Sequence, residues 1–237
     1  MSNNTVSWLI TGASRGLGLE IARPLLLSPS NIVFASCRDP ENSNALQELR
    51  SEACGELHII QLNVTDLTSI EASAKAVESI LGAKGLDYLV NNAGISEQKD
   101  RVYNFNPDGF IKIFRTNVLG PALISGAYLP LLGRSTRKVI VNLSSQLGSM
   151  AWMHGPKHAT YSSCKAALNM FTTKQAFDRS DFIIFAICPG WAKTDISGED
   201  ALLDPEDTIQ GLLGFASNAA LEHSGRFWRF SGEELGW

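Results

Sequence analysis

Tyr161 and Lys165 stand four residues apart in a sequence of 237, and of all its residues they are the pair with the plainest chemical use. Positions four apart share one face of a helix, so a phenol and an ammonium at this spacing can enter one site. A nearby cation favours phenolate, which would draw the tyrosine down from its ordinary pKa of about 10 toward neutral pH. Such a phenol donates a proton to an oxygen that is gaining charge, or removes one from a hydroxyl when the reaction runs backward. An isolated pair on a surface helix would only pack, so the remaining motifs decide between the two readings.

The second group of interest is a glycine-rich turn. Thr11 and Gly12 are followed by Ala13, Ser14, Arg15, Gly16, Leu17 and Gly18, directly after an apolar run and directly before a helical stretch. Glycines at a strand-to-helix turn allow positive φ and close approach of the backbone to a phosphate, whose charge the helix N-terminal amides meet. At the end of the next apolar run stand Ser36, Cys37 and Arg38. Sites selective for an unphosphorylated adenosine ribose put a carboxylate there. Arg38 and Arg15 instead suit a 2′-phosphate, which guanidiniums grip through charge-assisted hydrogen bonds. Asp39 precedes Pro40 and is read as part of a turn.

These residues must be positioned by a regular framework. Apolar β-rich runs at 7–10, 31–35, 57–62, 88–90, 138–143 and 182–187 alternate with helical segments at 17–27, 44–53, 69–81, 108–132 and 161–177. The alternation predicts a doubly wound α/β fold, a parallel sheet with helices on both faces, in one domain spanning 1–237. The runs are continuously apolar rather than alternating, as strands covered on both faces should be. A polar stretch at 195–207 carries Gly198 and Pro205 and predicts a surface excursion able to act as a lid, within a substrate-loop region of about 191–207.

Composition excludes several classes. A 44% apolar share with 19% charged residues suits a packed chain rather than a disordered one. The net charge of −4 provides no positive field for nucleic acid. No stretch is long and apolar enough for a membrane span or a signal peptide, so a cytoplasmic protein is expected. Cys37, Cys54, Cys164 and Cys188 form no metal or disulfide pattern. His154 and His158 lack a third ligand, so no metal is expected.

Taken in order along the chain, the motifs resemble one family. TGASRGLG is followed by Asn91-Asn92-Ala93-Gly94, by Asn117 in TNVLG, by Ser144-Ser145, by Tyr161 to Lys165, and by Pro189-Gly190 before Thr194. Together they resemble the short-chain dehydrogenase/reductase family over nearly the whole chain. The segment Ser36 to Pro40 and the ending after Gly232 resemble its C-factor and sniffer-type carbonyl reductase branch.

The resemblance implies a catalytic set of Asn117, Ser145, Tyr161 and Lys165. Ser145 would donate to the substrate oxygen, with Ser144 its competitor, and Asn117 would bend its helix. It implies NADP(H) held by Gly12, Ser14, Arg15, Gly16, Leu17, Gly18, Arg38, Asn63, Val64, Asn92, Ala93, Gly94, Tyr161, Lys165, Pro189, Gly190 and Thr194. Asn63 stands where the family often has aspartate, and an amide oxygen there could still accept from adenine. Ser145, Leu147, Trp152, Met153, Tyr161 and Trp191 are candidates for the substrate pocket. The expected activity is NADPH-dependent reduction of a small apolar ketone, aldehyde or quinone, with a homodimer or homotetramer as the assembly. The alternatives are an alcohol dehydrogenase working in the oxidative direction and a non-catalytic NADP(H)-binding signalling protein.

Overall fold

Runs of consecutive buried residues make the strands. The computed structural model describes residues 5–96, 100–152, 155–190 and 205–237. All six expected runs are strands: β1 (Val6–Ile10), β2 (Asn31–Cys37), β3 (Glu56–Gln61), β4 (Tyr88–Asn91), β5 (Val139–Leu143) and β6 (Ile183–Cys188). Two more follow, β7 (Phe227–Arg229) and β8 (Glu234–Leu235), giving one sheet in the order β3-β2-β1-β4-β5-β6-β7-β8. β1 pairs with β2 and β4, β2 with β3, and β6 with β7 in parallel, while β7 and β8 are antiparallel, so the sheet is mostly parallel. Leu9, Ile10, Val33, Phe34 and Ala35 are fully buried, adjacent positions included, because helices cover both faces.

The helices are α1 (Gly16–Leu25), α2 (Asn44–Glu52), α3 (Leu67–Leu81), α4 (Pro107–Phe114), α5 (Gly120–Gly133), α6 (Ala159–Asp178) and α7 (Pro205–Asn218). Local signals explain several boundaries. The Asp66 carboxylate accepts from the Thr68 and Ser69 amides and starts α3, which ends at Gly82 with φ 60. Asn106 accepts from the Asp108 amide, and Pro107 occupies the first turn of α4.

Two expectations need correction. The single helix expected at 108–132 is two helices joined by one π-helical turn, Arg115–Leu119. Pro121 has no N–H to give the Asn117 carbonyl four residues earlier, so an unbroken α-helical ladder cannot form there. The excursion expected at 195–207 is helical from Pro205 onward, where Glu206 and Asp207 place negative charge in the first turn of α7. The lid expectation otherwise falls on residues 191–204, outside the described residues.

The chain forms two compact units, Met1–Ala93 with Leu123–Ile140, and Gly94–Ala122 with Val141–Trp237. In the first, α1 buries Ile21 and Ala22, and α3 buries Ile70 and Val77. The Tyr128 phenol of α5 donates to Ser73 Oγ of α3 at 2.9 Å, satisfying a buried hydroxyl between those helices. In the second unit, Ile113 and Val118 pack with Cys164, which joins the π-helical turn to α6.

Candidate active site

In the first unit the glycine turn is held from the end of β4. The Thr11 hydroxyl accepts from the Asn92 and Ala93 amides, each at 3.0 Å. The Asn92 side chain donates back to the carbonyls of Thr11 and Gly12, at 2.7 and 3.2 Å. Asn92 therefore braces the turn. A Cβ on Gly18 would lie 2.5 Å from the Asn92 amide nitrogen and the Gly12 carbonyl oxygen, which leaves no room for a side chain. Gly12 has φ 67, and its Cβ would meet Ala93 at 3.0 Å.

Gly16 is different. Its φ is 56, and nothing lies within 4 Å of where a Cβ would stand. Bare backbone thus borders open space at the start of α1, and no side chain caps that helix. Uncapped N–H groups beside a gap are what a pyrophosphate requires. Ser14 and Leu17 are half-buried in the same turn, and Arg15 is exposed. The chain's own residues therefore fit a dinucleotide.

Further along this unit, Arg38 is exposed at the end of β2. Asp39 accepts from the Asn42 backbone and side chain, at 3.3 and 2.7 Å, and these bonds hold its carboxyl below the usual range. It belongs to its own turn, as expected. Asn63 differs from expectation. Its oxygen already accepts from the amide and hydroxyl of Thr65, at 3.2 and 2.9 Å, so both lone pairs are engaged. Val64 beside it is buried.

The catalytic candidates all lie in the second unit. β5 delivers two serines with opposite fates. The Ser144 hydroxyl is buried and donates to Asn169 Oδ1 at 2.5 Å. The Ser145 side chain acts on the Tyr161 phenol, favouring its anion, and its hydroxyl accepts from the Leu147 amide at 3.2 Å. Tertiary contact thereby singles out Ser145.

Tyr161 lies in the first turns of α6, and Lys165 follows one turn later with only 5% exposure. The lysine Nζ donates to the Leu143 carbonyl at 2.6 Å and sits 5.6 Å from the Tyr161 ring centroid. Burial pushes this ammonium down to about 8, with Cys164 and Cys188 partly opposing the shift. Burial also pushes the Tyr161 phenol up; Cys188 and Cys164 add to that, and Ser145 opposes it. The expected lowering of Tyr161 by its lysine is therefore absent in the ligand-free chain. Desolvation outweighs the cation, whose charge is engaged by the Leu143 carbonyl.

Asn117, 1% exposed, lies in the π-helical turn. Its side-chain oxygen accepts from the Ile95 amide at 2.9 Å, and its nitrogen donates to the Ile95 carbonyl at 2.8 Å. The Asn117 amide thus ties the π-helical turn to the chain just after Gly94. Pro189 is buried after β6, and Gly190 has φ 77.

The expected substrate pocket is described only in part. Leu147 is half-buried beside Ser145, and Trp152 is 42% exposed with the Arg229 guanidinium 5.8 Å from its ring. Met153, Trp191 and Thr194, together with His154, lie outside the described residues. Among the described residues no group of three or more His, Cys, Asp or Glu is arranged to hold a metal.

Sequence reasoning missed three residues near Ser145. Gly148 has no room for a side chain, since a Cβ would stand 2.6 Å from the backbone carbon and Cβ of Lys165. Asn169 bonds the Ser144 hydroxyl, and the Cys188 sulfur accepts from the Gly190 amide at 3.3 Å. Only Asn169 left a signal, its place one turn beyond Lys165 on the face of Tyr161.

The short chain dehydrogenase model matches residues 7–202, a span that includes the glycine turn, Asn117, Ser145, Tyr161 and Lys165. The chain belongs to the short-chain dehydrogenase family. An NADPH-bound carbonyl reductase from chicken fatty liver is 33% identical and superimposes with a TM-score of 0.93, over 99% of this chain and 100% of that one. The Sniffer carbonyl reductase of D. melanogaster is 27% identical with a TM-score of 0.92, over 99% of each chain. C-signal of Myxococcus xanthus is 32% identical over 64% of this chain and 93% of its own. The branch expected from the sequence is thus the one in which these short-chain dehydrogenase relatives fall.

Proposed function

We propose that this family member is an NADPH-dependent carbonyl reductase that converts a small, largely apolar ketone, aldehyde or quinone to an alcohol. The observation that carries the reading is the buried Lys165 ammonium, 5.6 Å from the Tyr161 ring on the same helix and bonded to the Leu143 carbonyl two residues before Ser145. NADPH, when bound, supplies the hydride that reaches the carbonyl carbon. The chain's residues manage the oxygen and its proton. Ser145 already accepts from Leu147, so its one hydrogen is available to a carbonyl oxygen or to the phenol. Tyr161 then transfers its proton to the oxygen as negative charge develops there.

Proton return falls to Lys165. An ammonium held near 8 exchanges its proton readily at neutral pH and stabilises the tyrosinate left after transfer. The residues that would hold the dinucleotide are Gly12, Ser14, Arg15, Gly16, Leu17 and Gly18 at its pyrophosphate and Arg38 with Arg15 at a 2′-phosphate. Asp39 is committed to Asn42 and offers the ribose no carboxylate. The reading extends to a homodimer or homotetramer in the cytoplasm. In support, among the described residues no helix is long and apolar enough to cross a membrane.

The deciding experiment follows NADPH absorbance over a panel of ketones, aldehydes and quinones. NADPH consumption that depends on the carbonyl compound is expected. Tight NADPH binding without turnover of any member would overturn the reading in favour of a signalling role.

A further inference from the structure

Asn169 lies four residues beyond Lys165 on α6, with 3% exposure. Tyr161, Lys165 and Asn169 therefore run down one helical face. The Asn169 oxygen accepts from the Ser144 hydroxyl at 2.5 Å, and its nitrogen donates to the Gly148 carbonyl at 3.3 Å. Those partners bracket Ser145. Ser144 precedes it, and Gly148 closes the turn after it by donating its amide to the Ser145 carbonyl at 2.9 Å. Gly148 also packs directly on Lys165, where no side chain would fit.

A neighbouring residue on the same helix makes a simpler tie. Thr172 donates to its own helix at Leu168 and accepts from the Asn142 side chain of β5. Asn169 instead spends both ends of its amide on the two sides of one short turn. That task needs an acceptor and a donor in fixed relation, which Leu lacks altogether.

We propose that Asn169 is a positioning residue for catalysis, whose amide bridges Ser144 and Gly148 and so fixes the Ser145 hydroxyl against the Tyr161 phenol. The inference rests on the reductase reading above. It predicts a specific failure when the bridge is lost: the fold and the dinucleotide turn persist, while the hydroxyl that orients the carbonyl wanders. The titratable groups acting on Tyr161 are Lys165 and Cys164 on α6 and Cys188 on β6, none of which the variants replace.

The test uses full-length Asn169→Leu, Ser144→Ala and the double variant, with a carbonyl that the wild type reduces. Asn169→Leu should lose about ten- to a hundredfold in kcat, while KM and NADPH affinity stay within about threefold. Ser144→Ala removes one arm of the bridge and should lose about three- to tenfold, and the double variant should be no worse than Asn169→Leu. In the alcohol-oxidising direction the acidic limb of the pH profile should move to higher pH, because a phenolate without its Ser145 donor is harder to form. A kcat within about twofold of wild type, or a loss with the pH limb unmoved, would overturn the proposal. Should Asn169→Leu fail to fold, Ser144→Ala decides by the same two readouts. An inactive wild type overturns the reductase reading, whereas an active wild type with an unaffected Asn169→Leu overturns this inference alone.

Discussion

The Ser144 hydroxyl is turned into the protein to Asn169, 2.5 Å away, while the adjacent Ser145 acts on the Tyr161 phenol. Successive side chains of an extended chain leave it on opposite sides, so two neighbouring serines receive opposite environments. One is a buried strut and the other faces the acid. Burial holds the phenol in its neutral form, and Ser145 opposes it only in part.

Replacing Tyr161 by Phe removes the proton and leaves the dinucleotide turn untouched. Turnover should fall by about 10²- to 10⁴-fold, with NADPH affinity retained within about threefold. Activity within about tenfold of wild type would mean that another group is the acid.

Buried Lys165 makes stability depend on pH with a definite sign. Unfolded, the lysine keeps its proton up to about 10.5, whereas folded it releases it near 8. Between those values the unfolded chain binds more protons, so stability rises with pH through the window and the gain is absent below it. Cys164 and Tyr161 are raised above 9 and 10 respectively and act in the opposite sense at higher pH, so the reference is Lys165→Met, which retains both. In ligand-free protein the melting temperature of wild type relative to Lys165→Met should climb by about 2–4 °C per pH unit between about 8 and 10. A difference that does not vary with pH would contradict a buried, depressed ammonium.

Cofactor preference turns on Arg38. Each charged hydrogen bond contributes about 1.5–3 kcal/mol, and about 1.4 kcal/mol is tenfold in affinity, so losing one arginine should cost roughly ten- to a hundredfold in selectivity. Arg38→Asp should weaken NADPH strongly and shift preference toward NADH, and added salt should weaken wild-type NADPH binding more than NADH binding. Titrations showing equal use of both by the wild type would refute the phosphate clamp.

Asn117→Ala should damage stability and turnover together. It leaves the amide and carbonyl of Ile95 without the partners they have at 2.9 and 2.8 Å. That omission costs about 1–3 kcal/mol, which urea unfolding would resolve. Unchanged stability would show that water replaces the side chain there at no cost.

Much of this protein was determined by local sequence. Continuously apolar runs specified the six strands from β1 to β6, because a strand covered on both faces needs no polar alternation. Glycine spacing specified the phosphate turn, since glycine takes φ of 67 at Gly12 and 56 at Gly16 without the steric cost a side chain brings. The four-residue interval specified Tyr161 and Lys165 as neighbours on one face. Strands β7 and β8, three and two residues long, are too short to show a period, and their pairing was decided by the sheet edge they join. The π-helical turn was half-legible, in Pro121, but needed Ile95 to complete it. The choice of Ser145 over Ser144, the upward pull on Tyr161 and the roles of Gly148, Asn169 and Cys188 were decided by tertiary structure alone. The Asn169 bonds to Gly148 and Ser144 span 21 and 25 residues, and burial of a titratable group exists only once distant elements have closed over it, so no local pattern of residues encodes either.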